Sequence, residues 1–129
     1  MKFRSLLLFI FFLNFFTAAI VFRQIPKEYE GKWRLGGSNS KIAGTLELRS
    51  DNAFTYLILP NYKRTGKVVL PQNGWIDLVS EGKTQETFRA IIKVQGNTMD
   101  LCIGTANGAR PTEFKSDSQQ GIIYWTGNK

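Results

Sequence analysis

The sequence offers few side chains that could perform acid–base or nucleophilic chemistry. It contains no histidine and a single cysteine, Cys102. Without histidine, neither a Ser–His nor a Cys–His pair can form, and no imidazole is present to bind a metal ion. One thiolate cannot build a zinc site by itself. We therefore expect no metal site and no catalytic nucleophile, and we interpret Cys102 as a small apolar strand residue.

Paired carboxylates could hydrolyse a glycosidic bond if they faced each other across a cleft. The candidates are Glu28, Glu30, Asp77, Glu81 and Glu86. None of them stands in a recognisable constellation, and solvation of the surface explains them better. The glycine-rich stretch 36–40 lacks the Lys-Ser/Thr ending of a phosphate-binding loop. These observations predict a protein that is not an enzyme and that uses no cofactor.

The charge is basic but dispersed. The chain carries 17 basic and 10 acidic residues, a formal net charge of +7. Lys63, Arg64 and Lys67 form the one local cluster, which we interpret as a solvated strand edge or loop. No basic run has aromatic residues interleaved, so the sequence predicts no nucleic-acid partner.

The first 22 residues have the layout of a secretory signal. A short basic start, Met1 to Arg4, precedes an almost wholly apolar run from Leu6 to Phe22, and small residues stand at Thr17 to Ala19. The alternatives are an uncleaved membrane anchor, since the run is near the lower limit of about 17 residues for a span, or a buried helix. A cleaved signal or an anchor predicts an exported domain, periplasmic or secreted, that touches a membrane only through this segment. The segment 1–22 is followed by a polar linker, 23–30, and one domain, 31–129.

Residues 31–129 predict an all-β domain. Short runs rich in β-forming residues are bounded by Gly, Asn, Asp and Pro, and no helical period is sustained. The predicted strands are Lys32–Leu35, Ile42–Arg49, Ala53–Leu59, Lys63–Leu70, Trp75–Ser80, Thr87–Gln95, Thr98–Gly104, Arg110–Lys115 and Ile122–Thr126. Eight or nine sequential strands with tight turns favour a small antiparallel up-and-down barrel, because closure removes exposed edges. A two-sheet sandwich is the alternative.

Alternation along these runs indicates which side chains face the interior. The clearest inward sets are Ile42, Gly44, Leu46 and Leu48, then Phe88, Ala90, Ile92 and Val94, then Met99, Leu101 and Ile103. Five residues could line an apolar cup inside the barrel: Phe54, Tyr56, Trp75, Phe88 and Leu101. The same side chains could instead fill the interior, and both readings stay open.

Two motifs carry a family resemblance. Gly31-Lys32-Trp33 resembles the Gly-x-Trp that opens the first strand of lipocalins and related calycins. The segment from Gly96 to Ile103, the run Arg110-Pro111-Thr112-Glu113-Phe114 and a final apolar strand are similar to a bacterial, planctomycete-type lipocalin-like domain. The resemblance covers residues 31–129, although Tyr124-Trp125-Thr126 replaces a plainer aliphatic ending. It implies a lipocalin-like barrel of uncharacterised function.

The resemblance also implies how one end of the barrel closes. In lipocalins an arginine from late in the chain packs across the first-strand tryptophan, which here implies Arg110 over Trp33, with Gly31 allowing the tight turn beneath. From the residues alone, Arg110 could instead pair with Glu113 or bind a carbonyl group.

The function expected from these observations is that of an exported, non-catalytic binding module for a small hydrophobic or amphipathic molecule. The alternative is a structural or inhibitor-like domain with a filled barrel that contacts an envelope protein partner. We expect the loops 36–41 and 105–109 to determine which ligand or partner is bound.

Overall fold

A computed structural model describes residues 23–37 and 42–129 of the chain. The predicted signal or anchor, residues 1–22, and most of the loop 36–41 lie outside the described residues. Within the described ranges no helix is long and apolar enough to cross a membrane.

Eight antiparallel strands form a closed barrel in which each strand pairs with its neighbours in sequence and the last pairs with the first. The strands are β1 (Gly31–Gly37), β2 (Ala43–Leu48), β3 (Ala53–Ile58), β4 (Tyr62–Val69), β5 (Trp75–Ser80), β6 (Glu86–Gln95), β7 (Thr98–Ala106) and β8 (Ile123–Asn128). The predicted all-β up-and-down barrel is confirmed, with eight strands rather than nine.

The core lies inside the barrel, where alternate residues of all eight strands meet. The three inward sets read from the alternation occupy this interior, with Ile42 and Val94 partly buried at its margins. Period-2 alternation is decisive here because successive strand residues point to opposite faces.

The run Arg110–Lys115, predicted as a strand, is not one. It belongs to residues 107–122, the connection from β7 to β8, which we call the strap. Every strand of the closed barrel already has two partners, so no free edge remains for a ninth. Pro111 also lacks the N–H that a ladder position would donate. The strap instead lies against the outside of the barrel, with Pro111 buried.

The segment 23–30, predicted as a linker, packs across one end of the barrel. Ile25 is part of the core, and a short 3₁₀ helix, Lys27–Tyr29, follows Pro26. The turn residue Asn52 fixes the segment: its Oδ1 accepts from the Ile25 backbone N–H at 3.1 Å, and its Nδ2 donates to the Arg23 carbonyl at 2.8 Å. We call this end of the barrel, between the β2–β3 and β4–β5 turns, the closed end.

Candidate functional site

The lumen of the barrel is filled by side chains. Four of the predicted cup residues, Phe54, Tyr56, Phe88 and Leu101, do lie inside, with exposed fractions between 0% and 5%. A ligand-sized cavity would leave its lining side chains accessible to water-sized molecules. These four residues are packed against each other and the rest of the core. Their contact with a ligand stays a prediction.

One polar contact lies deep within the core. Trp125 Nε1–H donates a hydrogen bond of 2.9 Å to the Tyr56 hydroxyl, and the Tyr62 ring stands edge-on to Tyr56. Burial raises the pKa of Tyr56 well above its ordinary value, and the hydrogen bond from Trp125 offsets only part of that rise. The pair therefore satisfies two polar groups that burial would otherwise leave without partners.

Trp75 does not lie in the interior, and its predicted place in the cup is wrong. In β5 the buried residues are Ile76, Leu78 and Ser80, so Trp75 takes the opposite parity and stands on the outer wall, 37% exposed. Trp75 thus contributes to the outer surface rather than to the lumen.

Arg110 contacts Trp75 rather than Trp33, which corrects the expected closure pair. Its guanidinium carbon lies 4.2 Å from the centre of the Trp75 ring, its Nη2 is 2.7 Å from Asp77 Oδ1, and its Nη1 donates to the Ala90 carbonyl at 2.8 Å. The predicted alternative, in which Arg110 binds a carbonyl group, is thus observed in the contact with Ala90. Arg110 pins the strap to the outer wall.

The cation over Trp33 is Lys129. Its Nζ lies 4.8 Å from the centre of the ring and donates to the Glu30 carbonyl at 2.8 Å, while Trp33 Nε1–H donates to the Tyr29 carbonyl at 2.9 Å. Gly31 has φ +129°, and a side chain there would press on Lys129. Gly31 and Trp33 lie at the closed end, where Lys129 rather than Arg110 contacts the Trp33 ring.

Cys102 is buried between β7 and the strap. Its thiol lies 3.5 Å from the Lys115 carbonyl oxygen, and burial raises its pKa. A thiol held protonated and covered is a poor nucleophile. Cys102 faces away from the interior, unlike Leu101 and Ile103, and lies against the strap. The alternation allowed this position or one that faces solvent outside the barrel.

A groove of about 710 Å³ runs along the outside of β4 and β5 near the closed end. Val69 and Val79, both half-buried, and the stem of Lys67 line its wall. Its rim is polar and comprises Gln24, Ser50, Asp51, Asn52 and Gln85. We call it the valine groove. Its size and its apolar wall with a few polar groups are typical of small-molecule sites.

A second cleft, of about 540 Å³, lies along the strap and differs in character. Its lining is almost entirely polar, from Thr112 and Glu113 to Gln120. An apolar molecule would gain little by entering it, because few apolar groups would leave water.

The closed eight-stranded antiparallel meander defines an up-and-down β-barrel, an architecture compatible with a lipocalin-like fold. Comparison with family models, with curated proteins and with solved structures found no match to this chain. The assignment of class therefore rests on the architecture.

The valine groove was not predicted from the sequence. Its signal was present, since Val69 and Val79 have the outward parity of their strands, where a polar residue is the usual choice. Both valines adjoin inward apolar neighbours, Val68 and Leu78, so the sequence alone shows only a short apolar run.

Proposed function

We propose that this chain is an exported, non-catalytic, lipocalin-like binding module for a small hydrophobic or amphipathic molecule, held in the valine groove. The observation that carries the proposal is an open groove of about 710 Å³ with two half-buried valines on its wall. Ligand sites of about 300–1,000 Å³ with apolar walls and a few polar groups are the usual pattern.

The groove is a better candidate for the ligand than the lumen. The core residues Trp33, Phe54 and Trp125 are fully buried, so a ligand inside would have to displace them. Opening a packed core costs several kcal/mol for each large side chain moved, at about 3–5 kcal/mol for a Phe or Trp. Entry into the groove displaces only water.

Export and family membership are parts of the same proposal. The basic start and apolar run of residues 1–22 support export. The Gly31-Lys32-Trp33 motif and the Arg110-Pro111 motif support kinship with planctomycete-type lipocalin-like domains. The absence of histidine from the sequence supports a non-catalytic role.

The test is displacement of a neutral apolar dye, N-phenyl-1-naphthylamine, by dodecanol. We expect the dye to fluoresce on binding and dodecanol to displace it. Val79→Asp should weaken both ligands by about tenfold or more, because a carboxylate on the apolar wall must be desolvated. Thermal unfolding should show that Val79→Asp is folded, and the same check applies to the control variant below.

The matched control is Thr45→Asp, which places the same charge at another half-buried outward position, on β2 and outside the lining of the groove. It should leave dye binding unchanged. Equal loss in both variants would assign the dye to another surface, and no binding to the wild-type protein would refute the proposed function.

A further inference from the structure

A cationic cleft continues the valine groove along β4. It has a volume of about 360 Å³ and is lined by Lys63, Arg64 and Lys83, together with hydroxyl-bearing residues and two glutamates. The two cavities have no lining residue in common, but their linings are adjacent along the chain. Lys63 and Thr65 of β4 line the cleft while Lys67 and Val69 line the groove, and the connection 81–85 borders both.

The strand pairing explains why the two cavities adjoin. β4 pairs with β5 only from Gly66 to Val69, and Gly66 stands opposite Ser80 at the end of β5. Beyond that point β4 extends on to Tyr62, whereas β5 has ended and the connection 81–85 turns away towards β6. The seam therefore opens next to the groove.

The cleft carries an excess of available positive charge. In the described part of the chain, Lys63, Lys67 and Lys83 form no salt bridge. Arg64 stacks on Tyr62 at 4.3 Å and lies 3.6 Å from Glu86, so it is already engaged. The cleft itself has three cations, Lys63, Arg64 and Lys83, against Glu81 and Glu86, and this net charge of +1 suits an anion. The groove adds Lys67 and Asp51, whose charges offset each other.

The distance along β4 sets the length of a ligand that could use both regions. Val69 and Lys63 are separated by six strand residues, which is roughly 20 Å at about 3.3 Å per residue. An extended twelve-carbon chain is shorter than this distance, and the long side chain of Lys63 makes up the difference. The apolar part of the ligand would lie on Val69 and Val79, and its polar end would reach Lys63.

We propose that the groove and the cationic cleft form one site for a single-chain anionic amphiphile, a fatty acid or an alkyl anion of similar length. This inference rests on the proposed function and names the ligand class for the same groove. The two valines hold the alkyl chain, and Lys63 and Lys83 hold the anionic group. Lys67 lies along β4 between the valines and Lys63.

The experiment compares monomeric laurate with dodecanol, which has the same chain length and no charge. We expect the wild-type protein to prefer laurate, and we expect added salt to reduce that preference. The double variant Lys63→Gln/Lys83→Gln should weaken laurate by about fivefold while leaving dodecanol unchanged, since each exposed ion pair contributes modestly.

The control is Lys32→Gln/Lys93→Gln, which removes the same net charge at two exposed positions outside both cavities. It should not change laurate affinity. An equal loss in both double variants would mean that net charge alone acts, and would overturn the proposal.

Other outcomes separate this proposal from the proposed function. If laurate and dodecanol bind alike, and Val79→Asp weakens both while the lysine variants weaken neither, the ligand class is wrong and the groove stands. If neither binds, the proposed function fails. Sedimentation with anionic vesicles that depends on Lys63 and Lys83 but not on Val79 would assign the lysines to a bilayer surface and overturn the proposal.

Discussion

The lumen of the barrel and the outer wall of β4 and β5 are made by the same strands but present opposite kinds of surface. Inside, Val68, Ile76 and Leu78 are at most 2% exposed. Outside, on the intervening residues, Val69 and Val79 are half-buried beside an exposed Lys67. The difference shows that one strand can supply both the core and a binding wall by parity alone.

The two surfaces therefore have different consequences for the protein. A side chain in the lumen is surrounded by others, so its removal leaves a cavity in a closely packed interior. A side chain on the wall faces water on one side, so its removal costs little stability but changes what the wall can bind. Substitutions of each kind should separate stability from binding.

The largest expected effect is that of Phe54→Ala in the lumen. Phe54 is fully buried, so its loss should reduce the free energy of unfolding by about 3–5 kcal/mol. Val79→Ala on the wall should cost about 1 kcal/mol or less. Urea denaturation measures both values. If Phe54→Ala reduced the free energy of unfolding by less than Val79→Ala does, the lumen could not be filled.

An intermediate effect is expected where the strap meets the outer wall. Arg110→Met leaves the Asp77 carboxylate, only 15% exposed, without its partner. We expect a loss of about 2–3 kcal/mol, less than for a fully buried pair because both groups keep some solvent contact.

Asp77→Asn/Arg110→Met provides the matched test of that ion pair. The double variant should be more stable than Arg110→Met alone, because no uncompensated carboxylate remains. Chemical denaturation of the wild-type protein, of Arg110→Met, of Asp77→Asn and of the double variant gives the coupling. Strictly additive losses would mean that Arg110 acts through Trp75 and the Ala90 carbonyl rather than through Asp77.

A smaller effect is expected at the polar pair inside the core. Tyr56→Phe removes the acceptor of the Trp125 hydrogen bond and should cost about 1–3 kcal/mol near neutral pH. Because burial raises the pKa of Tyr56 in the folded protein, its neutral phenol stabilises the fold fully below the unfolded value of about 10 and progressively less above it.

The pH dependence distinguishes this explanation from simple loss of packing. From about pH 8 to about pH 11, the wild-type protein should lose unfolding free energy faster than Tyr56→Phe, so that the gap between them narrows. Tyr29 and Tyr124 also have raised pKa values, but both proteins contain them, so their contributions cancel. Tyr62, whose pKa is also raised, contacts Tyr56, so the comparison is repeated with Tyr62→Phe in both proteins. A gap that stays constant would refute ionisation of Tyr56 as the cause.

Much of the fold could be predicted because strict alternation fixes both the strand and its inward face. The runs from Phe88 to Val94 and from Met99 to Ile103 carry apolar residues at one parity, and both point as predicted. β5 is different, since Trp75 and Val79 are apolar at one parity and Ile76 and Leu78 at the other. Its sequence does not specify which set is buried.

The candidate site was less predictable than the core. The valine groove joins the β2–β3 turn, β4, β5 and Gln24, which are far apart in sequence. The partner of Arg110 was also misassigned, because Asp77 and Trp75 stand more than thirty residues away and meet it only once the barrel has closed.

The sequence by itself determined an all-β chain, its turns and most of the inward faces, because glycine, proline and period-2 patterns act locally. Tertiary structure alone decided that Trp75 stands outside, that Lys129 rather than Arg110 covers Trp33, and that a groove lined by two valines lies beside a cleft lined by lysines. The physical reason is that closure of the barrel sets which distant residues become neighbours. The type of a cationic or apolar residue does not by itself specify which distant residue it will contact.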